Sequence, residues 1–242
     1  MKDIQNQLDH RRINIKKVGV KTISYPVTVL DKAKKRQNTI ASVNMYVNLP
    51  HRFKGTHMSR FVEILNQFHG EIDLKSFQQI LIKMKERLEA EASHLEMSFS
   101  YFLIKERLSE SLNVCHYRCS FLGSLEHDSD LQLKVEVPVT LPLAKQDFKG
   151  LPRSRGIWGK AEIILRLKSF IWIEDLILLI EGAIETEQGR LVDSGHEALS
   201  VESLTRRIAG SLAGLAGVKW FSLRIENLGN EYSTFATLEC TV

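Results

Sequence analysis

Two strand-like runs, two helix-like runs and two further strand-like runs follow one another along the chain, and then the same order begins again. This repeat constrains the fold more than any other feature. Val43, Met45, Val47 and Leu49 alternate with polar neighbours, the period-two pattern of a half-buried strand. An earlier strand is expected over 13–29, with Pro26 marking part of it as an edge, because proline cannot donate to a ladder. A first helix is expected over about 56–68, ended by Gly70. A second starts at Asp73, a good N-cap, and sets Leu74, Phe77, Leu81, Met84 and Leu88 on one face. Strands over about 98–105, 113–122 and 131–139 follow.

The second half repeats the order. A strand is expected over 161–167 and a helix over 171–184. Ser200 caps another helix, with Leu204, Ile208 and Leu212 on one stripe and Gly217 beyond its end. Strands over 218–225 and 233–242 close the chain. Sequential strands joined by short turns, with the helices grouped, predict an α+β layer: an antiparallel sheet with paired helices on one face. The polar run Glu126, His127, Asp128, Ser129 and Asp130 marks the expected boundary, giving tandem modules 1–125 and 126–242.

At 242 residues the chain is long enough for one large or two small cores. Hydrophobic residues at 43% and charged residues at 26% are those of an ordinary soluble protein. The net charge of +4 is mild and spread out, which disfavours a nucleic-acid surface and suits a phosphorylated small ligand. Lys32, Lys34, Lys35 and Arg36 with Asp31 read as a solvated turn between strands. Residues 1–12 lack the apolar core of a signal peptide. The most apolar stretch, 170–184, is interrupted by Glu174, Asp175 and Glu181 and is shorter than the ~20 residues that cross a bilayer. Three cysteines fit a reducing compartment, so the expected location is cytoplasmic.

The segment Leu49-Pro50-His51-Arg52-Phe53-Lys54-Gly55-Thr56-His57-Met58-Ser59-Arg60-Phe61-Val62-Glu63 resembles the signature of type IB GTP cyclohydrolases. Residues 3–5, 12–21 and Tyr25-Pro26 are similar to that family's N-terminal strand, and Val137-Pro138-Val139-Thr140 to the strand leading into its active site. Weaker similarity continues to the end of the chain. The resemblance implies a tunnelling fold, two such modules per subunit, and homo-oligomers (dimer or tetramer) whose sheets form a barrel with ligand pockets between subunits. It also implies a reaction, hydrolytic opening of the imidazole ring of GTP followed by rearrangement to dihydroneopterin triphosphate. A divalent metal activates water there by lowering its pKa toward neutral.

The family's metal chemistry has no counterpart in the matching stretch. There the strand is followed by Ser-Leu-Cys-Pro-Cys-Ser-Lys and then Ala-His-Asn-Gln-Arg, which supply the metal and catalytic site. Here the chain reads Thr140-Leu141-Pro142-Leu143-Ala144-Lys145, and the histidine position falls on Arg153 or Arg155. Leucine cannot ligate a metal, and arginine stays protonated and attracts anions. Near the C-terminus, Gly229 and Tyr232 stand where the family places a glutamate and a histidine; Glu231 substitutes only if the loop shifts. Residues 185–190 lack the family's Leu-Lys-Arg-Pro-Asp-Glu, and Glu181 or Asp193 is the carboxylate available for a ligand-like place. The expectation is therefore no metal and no cofactor.

Cys115 and Cys119 are the remaining Cys/His cluster, with His116 between them. On a strand their sulfurs stand ~13 Å apart, too far for one ion, so they read as small core residues flanking Tyr117. His57 opens a helix beside Gly55 and Thr56, with Lys54 and Arg60 close by, a natural anion site. The structural alternative has Thr56 capping that helix and Met58, Phe61, Val62 and Leu65 filling core. His51, His69, His94, His127 and His196 read as surface or loop residues. The candidate ligand-binding residues are thus Lys54, Thr56, His57, Arg60, Arg153, Arg155, Glu181 and Glu231. Three functions fit: an enzyme acting without the family's metal on an anionic purine- or pterin-like heterocycle, a non-catalytic relative serving as a ligand-binding or partner subunit, and a GTP cyclohydrolase with a rebuilt site.

Overall fold

Among the described residues, twelve elements occur in the expected order: β1 (Ile15–Asp31), β2 (Lys35–Leu49), α1 (Met58–Asn66), α2 (Leu74–Arg87), β3 (Ser93–Ile104), β4 (Val114–Leu125), β5 (Ser129–Thr140), β6 (Ile157–Leu167), α3 (Ile173–Ser194), α4 (Val201–Ala213), β7 (Val218–Leu228) and β8 (Ser233–Thr241). They belong to a computed structural model that describes residues 15–49, 57–68, 73–104, 114–140, 157–194, 199–229 and 231–242. The strands lie in the sheet in chain order, β1 to β8. The chain forms two compact units, Met1–Phe102 with Cys119–Leu133, and Leu103–Arg118 with Lys134–Val242. β4 and β5 thus contribute to both. The polar run expected as a boundary is the turn between these two strands.

In the first unit, strand alternation sorts side chains between two faces. Val43, Met45 and Val47 are fully buried, and across the ladder Val43 faces Met97 and Met45 faces Leu95, also fully buried. The helices cover this face. Asp73 caps α2 as the sequence predicts: its carboxylate accepts the Ser76 backbone N–H at 2.6 Å, and Ser76 Oγ accepts the Asp73 N–H at 2.8 Å. That start puts Phe77, Ile80, Leu81 and Met84 inside. Gly123 permits the fit, since a Cβ there would stand 2.4 Å from Phe77 Cε1. Pro26 lies on β1, the end strand. Asp31 is buried at the β1–β2 turn and accepts the Lys34 N–H at 2.5 Å, so the basic turn is tied rather than merely solvated.

The opposite face of this sheet is polar. There Tyr46 donates to Glu96 at 2.5 Å and stacks on His94 with ring centroids 5.0 Å apart. Burial first, then the Glu96 carboxylate, pushes the Tyr46 hydroxyl up to about 12. His94, expected on the surface or in a loop, sits half-buried on β3, and burial with Lys17 nearby lowers its pKa. The strand's alternation carried this face, and a lone histidine gave no sign of it.

In the second unit the buried pairs are Ala161 with Ile225, Ile163 with Leu223 and Leu165 with Phe221. Leu176, Ile177 and Ile180 of α3 and Leu204, Ile208 and Leu212 of α4 complete this core. α3 runs ten residues past the expected end at Ile184. Gly189 lies inside it, with nothing within 4 Å of an added Cβ, so it faces open space and does not stop the helix. Among the described residues, no helix is long and apolar enough to cross a membrane.

Candidate functional site

The retained signature enters the described residues at His57, while Lys54 and Thr56 lie outside them. His57 is the N-cap of α1, with extended backbone (φ −75, ψ 110) and no side-chain capping bond. Its carbonyl accepts the Arg60 N–H at 3.1 Å. The Arg60 guanidinium donates to the carbonyl of Arg87, the last residue of α2, at 3.3 Å. A cation at a helix C-terminus satisfies an otherwise open carbonyl, so Arg60 joins the two helices. Phe61, Ile64 and Leu65 are fully buried, whereas Met58 and Val62 are 39% and 40% exposed. The expectation that Met58 and Val62 fill core is corrected here. At ~100° per residue Met58 and Val62 lie together along one edge of the buried face that Phe61, Ile64 and Leu65 form, with Leu65 next to them.

On α3 the structure separates two carboxylates. Glu181 accepts the Tyr117 hydroxyl at 2.6 Å. Burial, and then that carboxylate, hold the Tyr117 phenol far above its ordinary range. Glu187, two turns on, is 7% exposed. The Ser203 hydroxyl donates to its Oε1, and Arg207 Nε donates to its Oε2 at 3.2 Å. These bonds, the serine's first, hold the Glu187 carboxyl below its usual range against the opposing effect of burial. Ser203 is itself fixed by the start of α4, where its N–H donates to the capping Ser200 Oγ at 3.1 Å.

The next residue of α3 locates this cluster. Gln188 Nε2 donates to the Thr140 carbonyl at 2.6 Å, which ties the Glu187–Arg190 turn to the last residue of β5. The chain leaves that strand into 141–156, the segment that the resemblance sets against the family's metal site. Arg153 and Arg155 lie there, outside the described residues. Beside the tie, a cleft of about 440 Å³ opens between α3 and α4, lined by Glu187, Arg190, Ser203, Arg206, Arg207 and neighbouring small residues. Its polar lining includes three guanidinium groups and one carboxylate.

The turn between β7 and β8 holds the remaining candidate. Glu231 is exposed there, and Tyr232 is 73% exposed. A Cβ at Gly229 would meet the Tyr232 carbonyl oxygen at 2.3 Å, so this backbone excludes a side chain where the resemblance expects a glutamate. Asn227 is held by a bond from its Nδ2 to the Trp158 carbonyl at 3.0 Å.

Residues 141–156 contain neither cysteine nor histidine. Among the described residues no group of three or more His, Cys, Asp or Glu side chains could hold an ion. Glu187, next in sequence to the Gln188 that ties α3 to β5, has both oxygens engaged by donors, one of them already a cation. Cys119 is buried and Cys115 half-buried on β4, and neither is in a disulfide.

Glu187, Arg190, Ser203, Arg206 and Arg207 were not expected from the sequence. The spacings Glu187/Arg190 and Ser203/Arg207 each place two residues on one helix face. Reading the helix as ending at Ile184 hid the first pair, and nothing in a single sequence sets α3 beside α4.

A family model described as type I GTP cyclohydrolase FolE2 matches residues 1–229. The GTP cyclohydrolase FolE2 of Syntrophobacter fumaroxidans is 40% identical over 257 aligned positions, covering 99% of each chain. That of Syntrophus aciditrophicus is 42% identical over 242 positions, covering 94% of each. Among solved structures, a urate oxidase from Bacillus sp. TB-90 superposes with a TM-score of 0.61 at 8% identity, covering 94% of this chain and 100% of that one. Uricase from Arthrobacter globiformis gives 0.53 at 8% identity, covering 94% and 93%. These two likenesses concern the fold, and they agree with an α+β tunnelling fold.

Proposed function

Because the chain belongs to the type I GTP cyclohydrolase FolE2 family, we propose that it binds a purine nucleotide of the GTP class without opening its ring through the family's thiolate–imidazole metal site. The observation that carries this reading is Glu187. Beside the strand that leads to 141–156, the carboxylate pairs with a guanidinium and a hydroxyl, and the segment itself has neither cysteine nor histidine and sets Lys145, Lys149, Arg153 and Arg155 against the single carboxylate of Asp147. Such a site attracts the anionic part of a ligand and repels a divalent cation. When bound in the family's manner, the metal supplies activated water. Here the chain's own residues bind and orient, with His57, Lys54, Arg153 and Arg155 as further polar contacts and Glu231 at the exposed turn.

Tandem modules 1–125 and 126–242, a homo-oligomer and a cytoplasmic setting belong to the same proposal. Exposed apolar side chains on the end strands, Leu30 on β1 (43%) and Phe235 on β8 (60%), support association. A second reading, ring opening of GTP by a rebuilt site, is favoured by the 40% identity maintained along 99% of the chain.

Thermal unfolding with and without GTP tests the proposal. Ligand at a hundred times its Kd stabilises by about 2.7 kcal/mol, and a chain of this size gains about 2–4 °C per kcal/mol. A rise of about 5–10 °C is expected, lost in His57→Ala and Arg153→Ala. No rise with GTP, other purine nucleotides or pterins would sink the ligand-binding reading.

A further inference from the structure

We infer that the cleft between α3 and α4 is a phosphate-binding site, with Arg190, Arg206 and Arg207 gripping the phosphate chain of the ligand and Ser203 beside them. The inference rests on the proposed reading of a phosphorylated ligand and names where its phosphates sit.

Three observations build the site. First, the cleft is formed by regular helices. Ser203, Arg206, Arg207, Gly210 and Ser211 recur at helical spacing on α4, and Glu187 and Arg190 lie one turn apart on α3. Second, its charge is lopsided, three guanidinium groups against the single Glu187 carboxylate. Third, that carboxylate is occupied. It takes Arg207 through Nε and Ser203 through its hydroxyl, which fixes the guanidinium plane instead of leaving a flexible surface cation. A guanidinium carries five donors in a rigid fork that matches phosphate oxygens in pairs. An Arg already oriented loses less freedom when an anion arrives.

Size and access agree. About 440 Å³ lies within the range of small-ligand pockets. An added Cβ at Gly210 meets nothing within 4 Å, so the α4 wall leaves room at its centre. Arg190 and Arg206 are exposed and can close on an entering anion. A divalent cation is disfavoured, because the one carboxylate is already paired with Arg207 and two further guanidinium groups remain.

Titration calorimetry of the full chain with sodium tripolyphosphate at low salt tests the site. One saturable event per chain is expected, weakened at least tenfold by Arg206→Ala and by Arg190→Ala and abolished in the double variant. Both side chains are exposed, so these variants keep the fold, which circular dichroism checks. Lys75→Ala, on the exposed part of α2, serves as the charge control and keeps wild-type affinity. No saturable heat, full affinity in the double variant, or equal weakening by Lys75→Ala overturns the assignment. The two proposals fail separately. A GTP-induced thermal shift that survives in the double variant removes this site and leaves nucleotide binding standing. Tripolyphosphate binding without any nucleotide shift supports the site and removes the nucleotide.

Discussion

Replacing Phe61 by alanine lowers the unfolding free energy by about 3–5 kcal/mol in urea denaturation, the range for deleting a fully buried aromatic side chain. Phe61 is fully buried beside Ile64 and Leu65 on one face of α1. The neighbouring Val62→Ala is the control. Its side chain is 40% exposed, so it changes stability by no more than about 0.5 kcal/mol. The contrast matters for the retained signature, because it separates residues kept for packing from those kept for binding. Equal losses in the two variants would contradict the stated division of the helix.

Arg207→Ala costs about 2–3 kcal/mol at neutral pH. Breaking a buried pair by removing one partner costs about 3–5 kcal/mol, and Arg207, with a side chain 31% exposed, calls for the smaller figure. The loss arises because Glu187 keeps its charge with the Ser203 hydroxyl as its remaining donor of the two. The pH dependence has a definite sign. Glu187 has a folded pKa held below the ordinary 4.5, so its pairing stabilises above that value and is lost as pH falls through the lowered one. The penalty of Arg207→Ala is therefore full at pH 7, shrinks below about pH 4.5 as the orphaned carboxyl takes a proton, and disappears at more acid pH. Denaturation series at several pH values measure it. A penalty independent of pH would mean that Arg207 contributes packing alone. Glu187→Leu combined with Arg207→Met recovers most of the loss, since apolar residues of similar volume replace a buried pair at little cost.

Local signals carried most of the fold. Asp73 and Ser200 cap the helices they were expected to cap, the Phe77/Leu81/Met84 stripe is buried, and the alternation of Val43, Met45 and Val47 gives the inner face of β2. These are short-range effects, written in residues two to four positions apart. The site was less legible because it is made of distant residues. Glu187 meets Ser203 and Arg207 only because two helices pack side by side, and Gln188 meets Thr140 across 48 positions of sequence. Arg60 shows the converse. Its place in a specific motif suggested an anion, and the fold sets it on the Arg87 carbonyl. Gly229 was read as a lost glutamate, and its backbone supplies the reason, a carbonyl where the side chain would begin.

The most direct test measures metal and product together. The purified chain is supplied with zinc or manganese and GTP, and bound metal is determined by mass spectrometry while oxidised neopterin is followed by its fluorescence. On the proposed reading the chain lacks the water-activating centre, which removes many powers of ten in rate, so no product above the protein-free blank and no stoichiometric ion are expected. One tightly held ion per chain with neopterin formed from GTP would contradict the account at its centre.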